Sequence, residues 1–261
     1  MTARPRKAIA VAKAKELLNE LRIRHPSEID IERIAAFKKV LVRHEPLQGM
    51  DGRIVRDKNA AIITVNSAIK FEGQRRFVIA HELGHFFLHP TTRQIETVNA
   101  NQINNWSERQ EVEEYEANIF AAELLMPETL LGPRIKGIRP SFDLIETLSA
   151  EFHTTLTATA VQFVLNTSEE CAIVSCSKRE RLWFILSRQF SFPMLEETHI
   201  HGCSCAAEVG INKRSSRSSQ VEAGYWLDGF RGDHKSSLTE DARFFPSLDR
   251  SLSLLWIHDA I

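Results

Sequence analysis

His81-Glu82-Leu83-Gly84-His85 sets two imidazoles four positions apart with a carboxylate directly after the first. Residues four apart share one face of an α-helix, so His81 and His85 can grip a single ion. Glu82 sits one position round, close enough to take a proton from a water on that ion without being a ligand. This is the arrangement of zinc hydrolases, where the metal acidifies a water and the carboxylate acts as base. The competing reading is a core helix whose histidines only satisfy hydrogen bonds. Under either reading the helix is buried, because Phe77-Val78-Ile79-Ala80 precede the motif and Phe86-Phe87-Leu88 follow it. Gly84 weakens such a helix slightly but lets another backbone or a substrate come close.

A catalytic zinc site needs a third protein donor and an open position for water. The segment from Trp106 to Pro127 begins with Glu108, Glu111, Glu113, Glu114 and Glu116, then turns apolar through Ile119-Phe120-Ala121-Ala122 and Leu124-Leu125-Met126. Pro127 stops it, as expected of a helix followed by a turn. On that helix Glu114, Ala117, Asn118 and Ala121 form one stripe, a carboxylate followed by small residues, which suits close docking against the histidine helix. Glu114 is therefore the preferred third ligand. Glu116 is the runner-up, on a stripe with Phe120 and Glu123 that suits packing and solvent better than metal. Glu108 and Glu111 read as a solvated first turn favoured by the helix dipole. His89, next to Pro90, reads as a helix-end residue. Tyr115 and His153 are weak candidates for a second oxyanion donor, and each reads better as structural.

Two stretches, Arg76 to His89 and Glu114 to Pro127, resemble the signature of the ImmA/IrrE metallo-endopeptidases. The resemblance covers about residues 8 to 165 and extends poorly beyond. It implies a cytoplasmic zinc peptidase of bacterial or phage origin that cuts a helix-turn-helix repressor and so switches genes on. It further implies Zn2+ held by His81, His85 and Glu114, with Glu82 as the base. A DNA-damage signal, read as single-stranded or damaged DNA, is the expected trigger, and some relatives sit beside anti-phage operons. Two rival classes are a non-catalytic regulator that binds the repressor without cutting it, and a DNA-binding damage sensor.

The elements needed to hold this site are legible in outline. Ala8 to Arg24 reads as an amphipathic helix, and Ser27 with Ile29 to Phe37 as a second. Val40-Leu41-Val42, Gly52 to Val55 and Ala61 to Val65 read as short strands of a small antiparallel sheet. Residues 91 to 105 read as a polar loop over the site, and Ser141 to Phe152 and Leu156 to Leu165 as two packing helices. The fold class is α+β: a zincin-like peptidase domain over residues 1–166, then a small α+β, GAF-like domain over residues 167–261 that would act as a sensor. An exposed sheet edge near the zinc helix would let a peptide add as one more strand.

In the second domain, Cys171 to Ser175 and Arg181 to Leu186 read as a hairpin, residues 213–220 as a flexible basic loop, and Tyr225-Trp226-Leu227 and Leu252 to Ile257 as strands. His199, His201, Cys203 and Cys205 alternate, so an extended strand would send all four to one face. Such a strand could be half-buried packing, a structural zinc site, or the source of a thiolate from Cys203 or Cys205 that caps the catalytic zinc and holds it inactive.

Composition excludes little else. The 261 residues carry a formal net charge of −1, so no global field calls for nucleic acid or membrane, although residues 1–43 hold eleven Lys/Arg against five Asp/Glu. Apolar runs stay short of the roughly 18 residues that span a bilayer. Four cysteines in a chain of this size fit a reducing cytoplasm better than a disulfide scaffold.

Overall fold

The computed structural model describes residues 6–57, 60–89, 95–99, 105–107, 111–230 and 235–257. The chain divides into two units that interleave in sequence: Met1–Leu131 with Leu148–Thr159, and Gly132–Thr147 with Ala160–Ile261.

In the first unit, helix α1 (Lys7–Glu20) buries Ala10, Ala14, Leu17 and Leu18. Its expected extension to Arg24 is cut short where Arg22 takes a left-handed turn, φ 55°. Helix α2 (Ile31–Phe37) starts later than expected, because the Asp30 side chain caps it by accepting from the Arg33 N–H at 3.1 Å. The strands are β1 (Val40–Glu45), β2 (Gly52–Asp57), β3 (Ala60–Asn66) and β4 (Ile95–Val98), in the order β1-β3-β2-β4. β1 runs parallel to β3, so the small sheet is mixed; its other pairs are antiparallel. β4 lies within the stretch read as loop and pairs with β2, Gly52 opposite Val98. The rest of that stretch, apart from Asn99 and Asn105, falls outside the described residues, as do Pro90 and Glu108.

Helix α3 (Glu72–Leu88) carries the HELGH stretch, and helix α4 (Val112–Leu125) carries the second motif. Phe77 to His85 and Glu114 to Leu125 are buried without interruption. A helix enclosed all round needs partners on several sides. α4 has them, packing on α3 and on α1, while α3 also packs on β2 and β3. Trp106 is fully buried against Phe77, with ring centroids 6.0 Å apart.

Three helices follow: α5 (Glu128–Ile135), α6 (Phe142–Phe152) and α7 (Leu156–Asn166), the last two joined by a turn in which His153 has φ 51°. The second unit is built on an antiparallel sheet of β5 (Cys171–Ser177), β6 (Glu180–Leu186), β7 (Ser216–Glu222), β8 (Ser237–Phe245) and β9 (Arg250–Trp256), in the order β6-β5-β9-β8-β7. Helix α8 (Cys205–Asn212) packs on it, enclosing Val174, Val209, Trp226, Leu227, Leu238 and Leu255. This is the small α+β module expected after the peptidase region. The basic stretch at 213–220 is mostly strand β7 rather than a flexible loop, paired along its whole length with β8. Arg214 and Arg217 both reach Glu208. Residues Ala223–Tyr225 form a 3-10 turn instead of a strand. β8 escaped the sequence reading because its centre, Glu240-Asp241, looks solvated. Glu240 is in fact fully buried, accepting from the N–H groups of Cys205 and Ala206, from Trp226 Nε1 and from Ser253 Oγ.

Among the described residues no helix is long and apolar enough to cross a membrane.

Candidate metal centre

Helical spacing brings the two histidines together, and helix packing brings the carboxylate to them. His81 Nε2 lies 3.0 Å from His85 Nε2, while Glu114 offers Oε2 at 3.4 Å from the first and Oε1 at 3.4 Å from the second. All three residues are buried, and among the described residues they form the group whose donor atoms lie close enough for one ion. The approach of α3 to α4 depends on Gly84. A Cβ there would stand 3.0 Å from Ala117 Cα and 3.1 Å from its carbonyl oxygen. Ala117, a small residue expected on the α4 stripe, is thus what α3 meets at Gly84.

The donor set fits zinc. Tetrahedral coordination with bonds of about 2.0–2.1 Å separates ligand atoms by about 3.3 Å, close to the spacing found here. Burial holds the His81 imidazole below its ordinary value, against an opposing pull from Glu114. Burial also pushes Glu114 up, but its hydrogen bonds to His81 and His85 and their charge outweigh this and leave it well below the usual carboxylate range. A neutral imidazole and an ionised carboxylate are the forms that bind metal.

Outer partners orient both histidines. Asn118 Oδ1 accepts from His81 Nδ1 at 2.8 Å, and its amide donates to the Asn105 carbonyl at 3.3 Å. His85 Nδ1 faces His89 Nδ1 at 3.2 Å, and His89 Nε2 meets Glu116 Oε2 at 3.0 Å. The Arg6 backbone N–H donates to Glu116 Oε1 at 2.7 Å, and its guanidinium adds contacts at 3.3 Å. Burial raises the Glu116 carboxyl, but the hydrogen bonds from His89 and Arg6 prevail and hold it below its ordinary value.

Glu82 is fully buried on α3 beside these ligands. β2 runs directly past it, since a Cβ on Gly52 would lie 3.3 Å from Glu82 Oε1 and 2.4 Å from Val78 Cγ1. Glu116 faces His89 and Arg6 rather than solvent. His89, read as a helix end, does cap α3, but its ring is buried between His85 and Glu116. The i+4 step from His85 to His89 was the available signal, and its meaning depended on a partner from another helix. Asn118 was placed on the correct stripe without its bond to His81. Tyr115 is buried with Lys7 Nζ over its ring at 5.3 Å, and His153 lines a cleft of about 480 Å³ with Ile29, Glu72 and Arg76.

The alternating strand expected at His199 to Cys205 is not formed. Ser204 caps α8 by accepting from the Ala207 N–H at 3.1 Å, so Cys205 opens a helix. Cys205 is then enclosed in the core of its own unit, and burial, with the nearby Glu240 charge, pushes its thiol up to about 12. That corrects the expectation of Cys205 as an inhibitory ligand, since a thiolate there would be both inaccessible and costly. Cys203 is exposed, its N–H donating to His201 Nδ1, whose ring stacks on Tyr225 at 3.9 Å.

Comparison with known proteins agrees with this geometry. Residues 37–163 match the model of the Peptidase M78 family, the IrrE N-terminal-like domain. The chain is 28% identical over 113 residues to the metallopeptidase ImmA of Bacillus subtilis (strain 168), a match spanning 41% of this chain and 62% of that protein. A solved structure, a Mycobacterium tuberculosis transcriptional regulator, shares the fold with TM-score 0.62 at 14% identity, covering 95% of this chain and 76% of that one. Residues 37–163, with the helix pair and its buried triad inside them, match the IrrE N-terminal-like domain, and the similarity to ImmA supports a metallopeptidase domain of the ImmA/IrrE type in this region.

Proposed function

We propose that the protein is a zinc endopeptidase that cleaves a helix-turn-helix transcriptional repressor. The observation that carries this reading is the buried His81–His85–Glu114 triangle at zinc spacing, with Glu82 on the same helix. His81, His85 and Glu114 would hold the ion. Zinc, when bound, supplies a Lewis acid that acidifies a water and polarises the scissile carbonyl. Glu82 takes the proton from the attacking water and passes it to the leaving amine, a carboxylate role worth about 10²–10⁴-fold in rate. Its buried position beside β2 favours that proton transfer by keeping bulk water away. The substrate lies extended along the outer edge of β4, which pairs with β2 on its other side, so main-chain hydrogen bonds fix the scissile bond.

The repressor as substrate rests on the family relationship and on the regulator whose fold this chain shares. Residues 167–261 are the regulatory, signal-reading part in this proposal. A DNA surface is not needed for it: Lys13, Lys15, Arg33, Arg214 and Arg217 are each ion-paired with a carboxylate. The test incubates the protein, zinc and the helix-turn-helix protein encoded beside it, with wild type and Glu82→Gln in parallel. Wild type should cut and Glu82→Gln should not, although both retain one zinc by metal analysis. Equal cutting by both would refute the role of Glu82, and zinc binding without any cutting would point to the non-catalytic regulator instead.

A further inference from the structure

His89 and Glu116 are a buried imidazole and a buried carboxylate that the mechanism above does not use. We propose that Arg6, Glu116 and His89 form an outer chain that fixes which nitrogen of His85 faces the ion, an inference that rests on the zinc reading of the triad.

The links determine one another by proton counting. An ionised carboxylate only accepts, so the 3.0 Å contact of Glu116 Oε2 requires the proton on His89 Nε2. A neutral imidazole carries one N–H, so His89 Nδ1 presents a lone pair to His85. The 3.2 Å contact between the two Nδ1 atoms then requires the proton on His85 Nδ1. That leaves a lone pair on His85 Nε2, the atom 3.0 Å from His81 Nε2 and 3.4 Å from Glu114 Oε1. His81 reaches the same tautomer by a shorter route, through Asn118 Oδ1. Arg6 secures the far end. Its backbone N–H and guanidinium both donate to Glu116, which holds that carboxylate oriented toward His89. The chain therefore ties the start of α1 to a metal ligand on α3 by way of α4. An outer partner of this kind is typically worth 10–100-fold in metal affinity.

Glutamine can reproduce the middle link, its amide oxygen accepting from His85 and its NH₂ donating to Glu116. Leucine fills similar space and can do neither. The experiment measures zinc affinity of the full chain by competition with a chromogenic chelator, for wild type, His89→Gln, His89→Leu, Glu116→Ala and the Leu/Ala double variant. His89→Leu and Glu116→Ala should each bind about 10–100-fold more weakly, His89→Gln within about threefold of wild type, and the double variant no more weakly than His89→Leu. A cobalt-loaded sample should show a changed visible spectrum for His89→Leu and a nearly unchanged one for His89→Gln. Independently of any variant, long-range ¹⁵N–¹H spectra of the zinc-loaded wild type should find His85 protonated at Nδ1 and His89 at Nε2. Wild-type affinity in His89→Leu, or a proton on His89 Nδ1 instead of Nε2, would overturn the chain while leaving the peptidase reading intact. A wild type that binds no zinc would sink both.

Discussion

Gly84→Ala tests whether the spacing of two helices sets the metal site. The added Cβ would meet Ala117 Cα at 3.0 Å, its carbonyl oxygen at 3.1 Å and its Cβ at 3.2 Å. Carbon atoms in favourable contact lie about 3.5–4.0 Å apart, so α3 and α4 must separate by roughly half an ångström. Two of the three clashing atoms are backbone, and no rotamer change relieves them. Overpacking of this kind costs about 1–3 kcal/mol, while replacing a mid-helix glycine by alanine returns about 1 kcal/mol. The net loss on unfolding by urea is then small, about 0–2 kcal/mol, and stability is the weaker readout. Metal affinity is the sharper one. The same separation carries Glu114, now 3.4 Å from each imidazole nitrogen, away from both. Recovering zinc geometry must pull the helices back together, and each 1.4 kcal/mol of that work weakens binding tenfold. Zinc affinity measured by chelator competition should fall by about tenfold or more in a variant that still folds. A Gly84→Ala protein that is more stable than wild type and binds zinc equally well would refute the argument from helix spacing.

Two further expectations follow from burial. Of the four cysteines, Cys171, Cys176 and Cys205 are buried and Cys203 is exposed. Burial pushes Cys171 and Cys205 to about 12. A maleimide at neutral pH should therefore label the native, zinc-loaded protein once, at Cys203, and all four thiols after denaturation; protection of Cys203 by zinc would revive it as a capping ligand. For the metal-free protein, His81 is held by burial below its ordinary value of 6.5, so the unfolded chain takes the proton first as pH falls. Stability is then fully present above about pH 6.5 and declines below it, and the urea midpoint should drop between pH 7.5 and 5.5. A midpoint that rises on acidification, or that falls equally in His81→Gln, would contradict this.

The division between legible and hidden features runs along particular residues. His81 and His85 were legible because both lie on one helix, where the 3.6-residue period fixes their relation whatever the rest of the chain does. Glu114 was legible because a small-residue stripe announces close packing, which Ala117 against Gly84 provides. His89 does end α3, as its place beside Pro90 suggests, but its pairing with Glu116 was hidden, and Glu116 itself suggested packing and solvent. Each satisfies the other, and a charged residue can be buried only when its partner arrives from elsewhere in the fold. β8 was missed for the same reason: Glu240 looks like a surface residue until the N-terminus of α8, Trp226 and Ser253 surround it. The alternation at Cys203 and Cys205 misled in the opposite direction, since a local cap at Ser204 starts a helix where a period of two suggested a strand. Local periodicity, then, decided which donors share a helix face and what chemistry they suit. Which buried polar groups meet across helices, and hence how the histidines are oriented, was decided only when α1, α3 and α4 came together, because hydrogen bonding between distant residues leaves no period in the chain.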